Sequence, residues 1–257
     1  MSADRSPPTA SPTPPIKPLG HYWADERSRK RFVGEIFDRT AGDYDHVERL
    51  LAFGTGSTYR RDALVRAGLR PGMRVLDIAT GTGLVAREAL AITGTTGLVI
   101  GLDPSAGMLE QARHGMPTFL VRAYGERLPC RDASFDFVSM GFALRHVADL
   151  GLLFREIRRV LRPGGTACIL ELTRPRSRVA AGALRTFMTR IVPAIAGNAS
   201  RRAEARRLMH FYWDTIDACV SPEAVLRALA EAGFPAPSRG VVLGMFSEYL
   251  ARNSAES

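Results

Sequence analysis

The chain has 257 residues, an ordinary hydrophobic share of 46% and a formal charge of +9 at pH 7. That length builds one full-size core without a disulfide or metal, and the isolated Cys130, Cys168 and Cys219 offer neither a disulfide framework nor a metal-ligand spacing. No apolar run reaches the roughly 20 residues of a membrane span, Met1–Gly20 lacks an apolar signal core, and the charge is mostly arginine spread along the chain (only Lys17 and Lys30 are lysines) without basic–aromatic interleaving, so a nucleic-acid partner is not expected.

Pro7, Pro8, Pro12, Pro14, Pro15 and Pro18 among Ser and Thr predict a tail over residues 1–20, disordered or extended, with no packed role. Residues 21–257 are expected to form a single domain. Phe32, Val33, Ile36 and Phe37 recur at helical spacing within Asp25–Leu51. Gly54-Thr55-Gly56-Ser57 breaks that helix, and a second runs to about Ala67. Met73 then opens a strand, Leu84–Ile92 a helix, and Gly97–Asp103 a second strand. Ser105 is placed to cap a helix through Arg113, with Met108 and Leu109 inward. Thr118–Ala123 and Phe135–Phe142 read as strands. Leu150–Leu161 is amphipathic, with Leu152, Phe154, Ile157, Val160 and Leu161 assigned to the buried side. Pro163-Gly164-Gly165 turns into a fifth strand, Thr166–Leu172. Residues 176–218 carry no strand signal and are expected to form a helical lid. Pro222–Ala232 is a helix stopped by Gly233, and Gly240–Leu243 with Met245–Ala251 suggest a terminal antiparallel hairpin. Strands separated by helices imply an α/β fold with a mostly parallel sheet, right-handed crossovers and helices on both faces.

The chemistry concentrates at Val75-Leu76-Asp77-Ile78-Ala79-Thr80-Gly81-Thr82-Gly83: an apolar strand, an acid, then a glycine turn into a helix. Such a junction is where nucleotide-like ligands sit in α/β sheets. Gly81 and Gly83 allow close backbone approach, and Asp103, closing the next strand about twenty residues on, is placed to grip ribose hydroxyls.

With Asp103-Pro104-Ser105-Ala106-Gly107-Met108-Leu109, Glu126-Arg127-Leu128-Pro129 and Leu161-Arg162-Pro163-Gly164-Gly165 in the same order, the chain resembles the S-adenosylmethionine-dependent methyltransferases with a seven-stranded Rossmann-like sheet. More narrowly it resembles the ubiquinone/menaquinone biosynthesis C-methyltransferase (UbiE-like) family. The stretches that carry this are Ile36-Phe37-Asp38 through Tyr44-Asp45 to Ala52-Phe53-Gly54, Phe142-Ala143-Leu144-Arg145-His146-Val147, and Leu170-Glu171-Leu172-Thr173-Arg174-Pro175.

The resemblance implies S-adenosyl-L-methionine as cofactor. Gly81, Thr82 and Gly83 would pass its methionine end, Asp77 would lie within reach of its ammonium group or of ordered water, and Asp103 would hold the ribose. Tyr124 and Gly125 stand where the family holds adenine; relatives carry Asp or Asn there. Gly141 stands where the family often has Ser, close to the cofactor. No metal is implied. Arg145 would face the methyl group and stabilise an oxyanion, His146, where relatives carry Asn, would accept a proton, and Tyr44 would close the site. The alternative for Arg145 is a structural pair with Asp214 or Asp217. Phe53, Phe142, Phe211 and Trp213 are candidate apolar walls.

The implied acceptor is a phenolic or quinol-type small molecule, methylated at ring carbon. Residues 215–222 and the last strand depart from the family pattern. Two alternatives therefore remain open: O- or N-methylation of a soluble secondary metabolite, and a non-catalytic S-adenosylmethionine-binding scaffold subunit. The expected location is cytoplasmic, with peripheral contact at the inner membrane face through Arg27–Arg31 or the Arg201-Arg202 and Arg206-Arg207 clusters. The sequence leaves the oligomeric state open.

Overall fold

A capping box opens α1 (Glu26–Leu51): Asp25 accepts from Ser28 N at 2.7 Å while Ser28 Oγ accepts from Asp25 N at 3.0 Å. The structure is a computed structural model, and it describes residues 13–116 and 118–254. After α2 (Gly56–Arg66) the chain alternates β1 (Arg74–Ile78), α3 (Leu84–Thr93), β2 (Leu98–Asp103), α4 (Ala106–Gly115), β3 (Phe119–Arg122), β4 (Phe135–Gly141), α5 (Leu150–Val160) and β5 (Leu161–Leu172). A helical layer follows: α6 (Arg178–Thr186), a π-helical turn (Phe187–Ile191), α7 (Val192–Ile195) and α8 (Ala199–Asp217). α9 (Pro222–Glu231), β6 (Ser238–Val242) and β7 (Phe246–Arg252) close the chain.

The seven strands lie in the order β3-β2-β1-β4-β5-β7-β6, parallel except for the antiparallel β5–β7 and β7–β6 pairs. Alternation along β1 explains the two faces. Val75 joins the cluster under α2, α3 and α4, whereas Leu76 and Ile78 join the one under α5 and α9. The order reverses between β1 and β4, which opens a crevice at the carboxyl ends of the strands. Over that edge, α1 and α6–α8 pack through a third cluster that includes Ile36, Met188, Phe211 and Trp213.

Four expectations need correction. Residues 13–18 of the Pro-rich segment are packed: Ile16 is buried and bridges Cys219, and Val220 N donates to Pro15 O at 2.8 Å. An apolar side chain among the prolines, meeting unpaired backbone at the end of α8, accounts for this; residues 1–12 lie outside the described residues. On α5 it is Leu153 that is buried, and Leu152 is exposed, because Asp149 caps the helix through Leu152 N and sets its rotation. β5 begins at Leu161, which pairs with Phe135, and a register shift carries the strand past Pro163-Gly164-Gly165 rather than starting it there. Phe53 is no wall: it is 76% exposed.

Candidate active site

Two adjoining cavities occupy the crevice. The larger, about 330 Å³, is lined by Gly81, Asp103, Met108, Tyr124 and Gly125 and roofed by Lys30, Val33 and Phe37 of α1. The smaller, about 100 Å³, lies under Leu51, Ala52, Leu184 and Phe246. Tyr44, Gly141, Phe142 and Tyr212 line both and form their boundary.

Backbone geometry at the strand ends shapes this junction. Ala79, just after β1, and Phe142, just after β4, have φ of +52° and +58°. Left-handed conformations cost non-glycine residues about 1–2 kcal/mol, so the surrounding packing must hold them. Gly81 has φ +58° with open space where a Cβ would stand. It can approach a ligand without collision.

Asp103 anchors the larger cavity. Its two oxygens accept from Ser105 N at 2.8 Å and Gly81 N at 2.9 Å, tying the glycine turn to the start of α4. Burial pushes its carboxyl up to about 6, against the pull of those two N–H groups. Each oxygen keeps a lone pair for a further donor. Tyr124 is half exposed at the rim, with Lys30 Nζ 5.3 Å from its ring centre. A cavity of this size, with a buried carboxylate in one wall and a bare glycine in another, fits a nucleoside-bearing ligand.

Asp77 does not reach either cavity. It is fully buried, with one oxygen taken by Ser139 Oγ (2.6 Å) and the other by Thr80 Oγ1 (2.7 Å); burial raises it to about 6. It sits inside the turn, between those two hydroxyls. Gly83 lines neither cavity and faces Met116. Thr82 lines the smaller one, but its hydroxyl donates to Asp45 of α1, which also pairs with Arg87 at 2.8 Å.

Arg145 is wholly buried. Glu171, at the end of β5, binds its guanidinium, which also donates to Phe142 O at 2.9 Å and Thr215 Oγ1 at 3.1 Å and lies 4.8 Å from the Tyr212 ring centre. The acidic partner is therefore Glu171. Asp214 accepts instead from Tyr22 and Asp217 pairs with Arg174. Arg145 Nη2 has no partner among the described residues, and Arg60 Nε beside the same cavity has none either.

His146 stacks on Phe211 and meets Phe37 edge-on, 5.3 and 5.2 Å between centroids. Both its ring nitrogens are buried without a partner among the described residues. Burial, then the Arg145 and Arg29 charges, hold its pKa well below the usual imidazole range, so it stays neutral. Tyr212 donates to the Tyr44 hydroxyl at 2.9 Å, and desolvation raises both phenols.

Sequence reasoning missed Tyr212, Glu171 and Arg60. Only Glu171 lay in a stretch already singled out. It also missed the two acids with which α1 holds the site, Asp45 and Asp38, the latter accepting from Ser105 Oγ at 2.6 Å and Gly107 N at 2.9 Å.

The sequence profile of the ubiE/COQ5 methyltransferase family matches residues 24–237. A ubiquinone/menaquinone biosynthesis C-methyltransferase UbiE of Hahella chejuensis is 32% identical over 198 residues, 74% of this chain and 80% of that one. The protein of the same name from Pseudomonas aeruginosa is 31% identical over 228 residues, 86% and 88% of the two chains. The solved SAM-dependent methyltransferase of Thermotoga maritima shares the fold, with a TM-score of 0.61 at 21% identity over 86% of this chain and 99% of that one. The profile spans the helical roof as well as the sheet as far as its last two strands, and by that match the chain belongs to the ubiE/COQ5 methyltransferase family, enzymes that take their methyl group from S-adenosyl-L-methionine.

Proposed function

We propose that this enzyme methylates a ring carbon of a phenolic or quinol-type acceptor, in a step of quinone biosynthesis like that named for its UbiE relatives. The observation that carries the proposal is the smaller cavity: apolar and aromatic walls, with the unpartnered Arg145 Nη2 and Arg60 Nε among them. A flat apolar ring bearing oxygens satisfies both features, since buried donors without partners are costly.

S-adenosyl-L-methionine, when bound, supplies an already activated electrophilic methyl group. What the protein adds is binding and orientation. Asp103 would take the ribose hydroxyls, Tyr124 and Gly125 would flank the adenine, and the N–H groups at the start of α3 would favour the carboxylate. Gly141 and Phe142 form the wall between the two sites.

Ring carbon is nucleophilic only when an adjacent hydroxyl gives up its proton. Arg145 directs Nη2 at that oxygen, and Glu171 cancels its net charge, so stabilisation comes from an aimed hydrogen bond. Tyr44, held by Tyr212, offers its hydroxyl proton to the same oxygen. His146 is neutral and lines the larger cavity, not the smaller one that would hold the ring. Flanked by Arg145 and Arg29, it is a poor resting place for the hydroxyl proton, which must pass on to water; once the ring carbon has gained the methyl group it must also shed its own hydrogen as a proton, so that the dienone returns to an aromatic ring. The helical layer α6–α8 acts as a lid that keeps bulk water from the ring.

Deleting the gene in its host and comparing quinones by mass tests this reading. A quinone pool lighter by one methyl group, restored by the intact gene, is expected. An unchanged pool would contradict it and favour a soluble secondary metabolite as acceptor.

A further inference from the structure

We propose that α6, the π-helical turn and α7, together with the loop tips at Phe53 and Leu243, form a docking face for an anionic lipid bilayer. The inference rests on the acceptor reading above and names the surface by which an apolar acceptor enters the smaller cavity.

Composition is the first support. From Thr173 to Ala199 there is no acidic residue, while Arg174, Arg176, Arg178, Arg185 and Arg190 fall within the stretch. Arg178, Arg185 and Arg190 are exposed and have no carboxylate at ion-pair distance among the described residues, unlike Arg174, which pairs with Asp217. The clusters prominent in the sequence are partly committed elsewhere: Arg29 binds Glu26 at 2.6 Å, and Arg201 binds Asp43 at 2.9 Å.

Exposed apolar side chains accompany these arginines. Val179 is 83% exposed, and Ile191 and Ile195 also face water. Scattered exposed apolar residues are ordinary. A short helical segment that combines them with unpaired arginines and no acid has the make-up of an interfacial helix.

Position is the third support. Leu184 of α6 lines the smaller cavity beside Ala52 and Met245. Phe53, next to Ala52, stacks on Phe187 of the π-helical turn at 4.9 Å between centroids. Leu243, 79% exposed, stands two residues before Met245. The exposed apolar tips thus border the cavity mouth. A second copy of the chain is a poor occupant, because it would bring the same arginines face to face. Phosphate headgroups over acyl chains complement both the charge and the apolar tips.

The test uses the full chain sedimented with vesicles of phosphatidylcholine, alone or with about one third phosphatidylglycerol. Binding to the anionic vesicles only, released as salt rises, is expected. The triple variants Arg178→Glu/Arg185→Glu/Arg190→Glu and Phe53→Ser/Val179→Ser/Leu243→Ser should each weaken that binding about tenfold or more. Arg70→Gln/Arg131→Gln, at the amino end of the sheet, should bind like the unaltered chain. Affinity for S-adenosyl-L-homocysteine, read by calorimetry, should stay within about twofold throughout; that separates a failed docking face from a failed methyltransferase reading. No binding to anionic vesicles at low salt, equal loss in the Arg70/Arg131 variant, or undiminished binding by both triple variants would overturn the proposal.

Discussion

Asp103 carries a pH dependence whose sign differs for stability and for binding. Its carboxyl sits at about 6, above the ordinary 3.8, because burial opposes the charge. The native state holds that proton more tightly than the unfolded chain, so the contribution to stability is fully present below pH 3.8 and is lost as pH rises through about 6. Gripping ribose hydroxyls needs the carboxylate, so cofactor affinity runs the other way and should fall roughly tenfold by pH 5. Calorimetry of S-adenosyl-L-homocysteine from pH 5 to 8 checks this; Asp103→Asn should bind about 10–100-fold more weakly and lose the pH dependence. The Arg145–Glu171 pair makes a second prediction. Glu171→Gln leaves a buried guanidinium uncompensated and should cost about 3–5 kcal/mol in urea unfolding, with Arg145→Met/Glu171→Met costing less than the single change. That Asp103 and Gly81 meet in one cavity wall was legible because a strand, a turn and the next strand place them within one local unit. Glu171 was not recognisable as the partner of Arg145, because the two meet only through the β4–β5 pairing and the turn that follows it. Asp77 misled, since an acid at a strand end reads alike whether it faces a ligand or, as here, the Ser139 and Thr80 hydroxyls.

α1 is the element that turns a sheet edge into an enclosed site. Asp38 and Asp45 lie seven residues apart, two turns along one side of the helix. One caps the start of α4 at Gly107 N and Ser105 Oγ, and the other holds Thr82 in the glycine turn. Asp38 and Ser105 line the larger cavity and Thr82 lines the smaller, so the docking of the helix and the filling of the cavities depend on each other. Asp38→Asn/Asp45→Asn should speed amide hydrogen exchange across residues 26–51 and weaken S-adenosyl-L-homocysteine binding about tenfold, while exchange in β1, β4 and β5 stays slow. Unchanged exchange in α1 would show that its apolar face alone holds it. The helix itself was plain from Phe32, Val33, Ile36 and Phe37. Its docking was not, because a carboxylate on an exposed face gives no sign of which backbone N–H it will meet.

At the scale of the whole molecule, the alternation of strand and helix patterns and the terminal pair of apolar stretches sufficed for the seven-stranded sheet and its antiparallel edge. The second cavity could not be foreseen: it draws on α1, α2, α6, α8 and β7, elements distant in sequence that converge only after folding. Tyr212 is the clearest case, a helix residue whose contact with Tyr44 spans 168 positions. We propose that this cavity presents a ring carbon, and not an oxygen, to the methyl donor. Incubating the purified enzyme with S-adenosyl-L-methionine carrying a ¹³C-labelled methyl group and a short-chain prenyl hydroquinone, then locating the label by NMR, tests it most directly. The label should appear on ring carbon and fall at least tenfold in Tyr44→Phe. Label found on oxygen, or no transfer to any hydroquinone by an enzyme that binds the cofactor, would contradict the account.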